Sequence, residues 1–351
     1  MSERLRVTVG GLALANPVVC ASGEHVMTAA GIRAALGQGV GAVIAKSINE
    51  SQAARAQLAQ TDYARLGEGW QRQPWAGEGG SVMCRSGLQP LCCEDWIEQV
   101  AALDREARER GALVAASIIL ADLGHAVRLA REVESAGIRL LEFNVGTPYG
   151  DEATHGGVTT ERAAARIREQ VAAVCGAVRI PVWVKLTGQS ENVSALAMAA
   201  RDGGAAAVVM IGRMLGMLPG LDTMAPLLGT NLGYGGPWAL PLTCYWLART
   251  RKQLGAVQPL VGTNGARDGD DVARMLLAGA CAVEMGSAVL TGGFGVLGRS
   301  IARLDQYLAQ HGITAQELVG RAADRVGGFA EQASDPEHWR RFVPGQTLGA
   351  D

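Results

Sequence analysis

Eight short apolar runs recur along this chain, and their spacing limits the folds it can adopt. They fall at 18–21, 42–46, 113–119, 138–144, 182–185, 206–211, 259–262 and 282–285. Most are separated by Ala- and Leu-rich stretches with charges at helical spacing, such as 96–110, 126–136, 161–178, 194–202 and 270–278. A strand followed by a helix, eight times over, is the period of a (β/α)8 TIM barrel, an α/β fold. The runs are apolar at nearly every residue rather than at alternate ones, which suits parallel strands buried on both faces. With 351 residues, 48% of them hydrophobic, the chain is long enough to close such a barrel as one domain over 1–351. Residues 4–15 read as a small extra hairpin capping the bottom.

Three long connections break the rhythm. Residues 49–90 carry Trp70, Trp75 and many glycines, and 146–157 follow the fourth run. Residues 212–237 carry Met214, Met217 and Met224 and end in Tyr234-Gly235-Gly236-Pro237. All three follow strands and so belong to the top rim, where catalytic side chains collect. Their aromatic and Met content predicts a lid over an apolar site.

Charge and cysteine content exclude several function classes. Lys plus Arg (32) nearly balance Asp plus Glu (34), with no basic stripe, which argues against nucleic acid as a partner. The first residues show no apolar signal segment and no stretch approaches a membrane span, so a cytoplasmic protein with no membrane partner is expected. Seven cysteines without a CxxC pair support neither a metal site nor an iron–sulfur cluster. Cys20, Cys175 and Cys281 lie in apolar sequence and read as core residues. Cys84, Cys92 and Cys93 lie in or beside a Gly-rich loop.

The chemistry concentrates at strand ends. Asn144, Thr147 and Pro148 stand where the fourth run meets its loop. After the last two runs come Val261-Gly262-Thr263-Asn264-Gly265 and Val283-Glu284-Met285-Gly286-Ser287. Glycines there let backbone N–H groups approach a phosphate at the rim position where barrels hold one; the alternative is two tight turns with no ligand. Lys46 and Lys185 each close an apolar run. A Lys in that position is costly to bury without an anionic partner, so the pair predicts an electron-rich ligand unless each snorkels to solvent.

These residues form an ordered set. Asn16-Pro17, Ala21-Ser22-Gly23-Glu24-His25, Ala45-Lys46-Ser47, Phe143-Asn144 with Pro148, Val184-Lys185-Leu186, Gly235-Gly236 with Pro241, Gly262 to Gly265, and Gly286-Ser287 follow one another over about 16–312. In this the chain resembles the dihydroorotate dehydrogenase family, particularly its soluble class 1 members, and more distantly the flavin barrel of dihydropyrimidine dehydrogenase. The resemblance implies an FMN-containing barrel that moves two electrons between flavin and a C–C bond of a pyrimidine. It places Ala21, Ser22 and Gly23 near the flavin ring, with Lys46 and Ser47 along it and Lys185 near its N1/O2 edge. It also implies that Gly235 and Gly236 border the ribityl chain and that Asn264, Gly265, Gly286 and Ser287 hold the phosphate. Asn144 would touch both flavin and substrate.

The departures from the family pattern bear on the substrate. Thr147 occupies the position of the family's Cys or Ser base, and Gly146 replaces the Ser before it. With Asn144 and Lys46, Thr147 completes the candidate catalytic set; its other reading is a turn-stabilising hydroxyl beside Pro148. Tyr149 stands where the family closes its motif with Asn. Two further family amides align near Met210 and near Cys84-Arg85, and Arg85 is a candidate carboxylate anchor. The candidate substrate residues are therefore Asn144, Tyr149, Arg85, Cys84 and Met210. The expectation is an FMN-dependent oxidoreductase acting on a C–C bond next to a carbonyl of a small cyclic substrate less polar than orotate. The alternatives are a genuine dihydroorotate dehydrogenase and a phosphate-binding barrel without redox activity. The resemblance further implies a homodimer, and a separate electron-transfer partner is a possible acceptor.

Overall fold

The computed structural model describes residues 2–146 and 161–348. Strands β1 (Val7–Val9) and β2 (Leu12–Leu14) pair antiparallel as the expected N-terminal hairpin. Strands β3 (Val18–Cys20) and β4 (Ala42–Ile44) begin the barrel, and β5 (Asp62–Leu66), β6 (Arg72–Gln73) and β7 (Ser81–Arg85) lie in the insertion that follows. The barrel resumes with β8 (Leu113–Ile119), β9 (Leu141–Asn144), β10 (Val182–Lys185) and β11 (Ala207–Met210). A second insertion carries β12 (Met214–Gly216), β13 (Pro219–Gly220), β14 (Ala225–Pro226) and β15 (Leu232–Gly235), before β16 (Leu260–Thr263) and β17 (Ala282–Met285).

The eight barrel strands are parallel to their neighbours, and β17 pairs with β3 to close the ring. Every residue of β3, β4, β8, β11, β16 and β17 is buried, as two-faced burial requires. Helices cover the outside. The one over 93–109 caps its first turn with the Cys92 side chain and places Glu94 and Asp95 there, where the helix dipole favours negative charge. Trp96, Val100 and Leu103 on its inner face are essentially inaccessible.

The two long insertions depart from the expectation of loops. They pair with each other into one antiparallel sheet in the order β12-β15-β7-β5-β6. Gly233 of β15 lies opposite Cys84 of β7, which in turn lies opposite Tyr63 of β5. Chain segments well apart in sequence thus build one wall over the barrel mouth. The methionines do not form an apolar lid: Met217 is 51% and Met224 92% exposed, while Met214 packs on the core. The expected 146–157 connection falls largely outside the described residues.

Candidate active site

Each barrel strand ends at the same rim, so residues just past the strand ends converge on one cavity. From β3 come Ala21, Ser22 and Gly23; from β4 come Lys46 and Ser47. Asn144 enters from β9 and Lys185 from β10. Asn264 and Gly265 follow β16, Gly286 and Ser287 follow β17, and Gly235 reaches in from the overlying sheet. Thr147 and Tyr149 lie outside the described residues.

Two charged clusters occupy the cavity. In the first, Lys46 Nζ donates to Glu24 Oε1 at 3.1 Å, and the Tyr63 hydroxyl donates to Glu24 Oε2. Burial pulls the Lys46 ammonium below its usual range, and Glu24 restores only part. Burial also opposes ionisation of Glu24, but Lys46, the Tyr63 hydroxyl and Arg213 outweigh it and hold the carboxyl low. In the second, Lys185 Nζ donates to Glu142 Oε2 at 3.2 Å and to Glu284 Oε2. Burial alone would lower Lys185, yet the two carboxyls more than reverse it and the ammonium is held up. Both lysines therefore have protein carboxylates as anionic partners. Their burial, read from sequence as a sign of an electron-rich ligand, is accounted for within the chain.

Several expected residues stand differently from their sequence reading. Met210 is fully buried in β11 and is not among the residues lining the cavity. Arg85 lies on the opposite face of β7 from Cys84, because side chains alternate along a strand; it sits 3.8 Å from Asp62, its cross-strand partner. Cys84 does line the cavity, and its Sγ accepts from Arg213 Nη1 at 3.2 Å. Asn264 spends its side chain on the scaffold: Oδ1 accepts from Gly236 N–H at 3.1 Å and Nδ2 donates to Gly212 O at 3.4 Å. Gly236 is thus a strut of the wall and does not itself line the cavity. Asn144 Oδ1 accepts from Gly146 N–H at 3.0 Å, so its NH2 is the half not used by that turn. Of the cysteines read as core, Cys20 is buried and Cys175 and Cys281 are half-buried.

Among the cavity residues that the sequence reading missed, four build its charged clusters. Glu142 and Glu284 are single carboxylates inside apolar strands, and that interruption was the available signal. Arg213 lies three residues beyond Met210, the position read as the end of the sixth strand's contribution. Tyr63 sits in an insertion read as loop.

Gly146 shows why the family's Ser is absent. A Cβ at this position would lie 2.7 Å from Thr187 N and 2.8 Å from Leu186 C, both backbone atoms that cannot rotate away. Gly146→Ser, which restores the family residue, is expected to lower stability by about 1–3 kcal/mol. Urea unfolding would read this, and an unchanged midpoint would remove the steric explanation.

Fold and cavity together define a barrel enzyme working at the C-terminal rim of its strands. A family model described as dihydroorotate dehydrogenase matches residues 4–308, and the chain belongs to that family. Its members are flavoproteins, generally FMN-dependent, and the chain is an oxidoreductase acting on CH–CH bonds. It is 29% identical over 320 residues to the catalytic subunit of dihydroorotate dehydrogenase B (NAD(+)) from Methanocella arvoryzae, covering 91% of this chain and 98% of that protein. The corresponding subunit from Fusobacterium nucleatum is 30% identical over 332 residues, 92% and 99% of the two chains. Dihydroorotate dehydrogenase A (fumarate) from Limosilactobacillus reuteri is 28% identical over 292 residues, 82% and 88% of the two. Among the described residues no helix is long and apolar enough to cross a membrane, and no group of His, Cys, Asp or Glu could hold a metal ion.

Proposed function

We propose that the protein binds FMN in this cavity and moves two electrons to or from a C–C bond next to a carbonyl of a small cyclic substrate. The observation that carries the reading is the convergence of Ser22, Lys46, Asn144, Lys185, Gly265 and Ser287, from six barrel strands, on one cavity. The donor set suits the cofactor. Backbone of Gly265, Gly286 and Ser287 lines one part, beside the start of the short helix Ser287–Gly292, as barrels arrange for a phosphate. The Lys46 and Lys185 side chains, each already held by carboxylates of the chain, line another. Bound FMN supplies the two-electron exchange, and the protein's part is binding, orientation and proton handling.

The chain's residues divide that part. Asn144 directs its NH2 to the ligand, and Arg213 meets an anionic or strongly electron-rich group of the substrate as a planar donor. Thr147, assigned from its motif position, exchanges the proton on the carbon α to the carbonyl, directly or through water. With Met210 outside the lining, two methionines exposed and Arg213 in place, the cavity favours a more polar substrate than the sequence alone suggested. The names of the type B relatives, each a catalytic subunit, favour a separate electron-transfer partner; a homodimer follows the family resemblance.

The test starts from protein purified without added cofactor. It should be yellow and release FMN on denaturation; colourless protein that takes up no FMN would leave a barrel without redox function. Anaerobic addition of dihydroorotate, neutral dihydropyrimidines, lactams and cyclic enones, with substrate-driven bleaching or reoxidation followed, then assigns the substrate class. Bleaching by dihydroorotate itself would favour a genuine dihydroorotate dehydrogenase. Thr147→Val should keep the colour and lose substrate-driven bleaching by about 100-fold or more. Undiminished bleaching would remove Thr147 from the proton step.

A further inference from the structure

The cluster around Lys185 contains more acid than one ammonium can balance. Glu142 and Glu284 are 0% and 1% exposed, and both reach the same Nζ. They come from β9 and β17, on different sides of the barrel, and meet on that one ammonium. Two carboxylates against one ammonium would leave a net negative charge inside the barrel. A buried pair of this kind relieves that by keeping one proton between its members. Glu284 Oε1 is buried without a hydrogen-bond partner among the described residues, so one oxygen of the pair is uncommitted beside the cavity.

A line of hydroxyls leads away from the pair. Ser117 Oγ donates to Glu142 Oε1 at 3.0 Å, Ser47 Oγ lies 2.8 Å from Ser117 Oγ, and Ser22 Oγ lies 3.1 Å from Ser47 Oγ. Ser117 is fully buried, whereas Ser22 lines the cavity wall. Each hydroxyl can donate and accept at once, so the line can pass a proton by successive rotation. A ligand lying over the floor of the cavity would leave this wall as the path to the pair.

We propose that Glu142 and Glu284 store one shared proton against Lys185, and that Ser117, Ser47 and Ser22 connect this store to the cavity. The step moves a proton only: the pair releases or takes up H+, and the charge of the cluster changes by one unit. The pair is a positioning and proton-storing device for the redox reaction proposed above, so its use in catalysis rests on that reading. Its existence does not, because the shared proton can be observed with or without flavin.

Cys20, on the neighbouring β3, is held as a neutral thiol by burial first and by the Glu284 charge second, both of which push it up. Among the described residues Glu284 is the carboxyl pushed up into the neutral range, to about 8, by burial first and by Glu142 second, against the pull of Lys185. Infrared spectra of the protein as purified should therefore show a protonated-carboxyl C=O band at pH 7 that is lost as the pH rises through about 8. Glu284→Gln, whose neutral amide replaces the protonated acid, should remove the band; Glu142→Gln is the parallel test should the first variant fail to fold. After a jump to pH 9, Ser117→Ala should keep the band but slow its decay at least tenfold. No acid band in the wild-type protein, or one surviving in both Gln variants, overturns the store. An unchanged decay rate in Ser117→Ala overturns the hydroxyl route.

Discussion

Lys185→Met should destabilise the fold by about 3–5 kcal/mol at pH 8 and by clearly less at pH 5. Removing the ammonium leaves Glu142 and Glu284 facing each other at the cavity floor, almost wholly removed from solvent. The least costly response is to protonate both, so the carboxyls' folded-state affinity for protons rises further. A group held above its unfolded value keeps its contribution at low pH and loses it as the pH climbs through the folded value. In the wild-type protein this already applies to Glu284, whose stabilising contribution falls away between its ordinary 4.5 and about 8. The variant extends that decline upward and deepens it. Urea unfolding at the two pH values reads the difference. Equal losses at both, or a loss below about 1 kcal/mol, would mean that the three groups are not coupled as their geometry requires.

Gly265→Ala should have the other large effect, on cofactor binding as well as stability. Gly265 has φ +127°, a conformation side chains rarely adopt, and a Cβ there would lie 2.6 Å from both N and Cα of Leu240. Leu240 opens the helix Leu240–Leu254, so the clash is with backbone that its own hydrogen bonds hold in place. Strain and overpacking together should cost about 3 kcal/mol. The same shift moves main chain that lines the cavity, and FMN affinity should fall on the order of a hundredfold. Fluorescence quenching of FMN on binding, alongside a thermal melt, measures both. A normal melt with undiminished affinity would show that this turn yields without disturbing the cavity.

The barrel was legible because its signal is local. Apolar runs such as 113–119 and 182–185 are bounded by turns and separated by amphipathic helices, and each strand can be recognised without knowing its partner. The overlying sheet was not, because β7 and β15 are joined by pairing across about 150 residues, and that pairing leaves no periodic mark in either insertion. Site residues followed the same division. Ser22, Lys46, Asn144, Lys185 and Ser287 could be placed because they close barrel strands or open the loops after them. Arg85 was read as a loop residue beside the site; it belongs to β7, whose alternation puts it on the face away from Cys84, and a loop reading carries no such alternation. Glu142 and Glu284 were passed over because each was counted into an apolar run, although a lone acid in a fully buried strand has to be matched by charge or proton somewhere.

The shared sheet has a consequence for how this molecule can change. Its β7 edge and its β15 edge are each other's hydrogen-bond partners, so neither insertion can be exchanged for a relative's without stranding amides on the other. The two behave as a single heritable cassette, split in the gene yet joined at the mouth. Chimaeras that graft both pieces together should remain soluble, while those that graft one should aggregate through the orphaned edge.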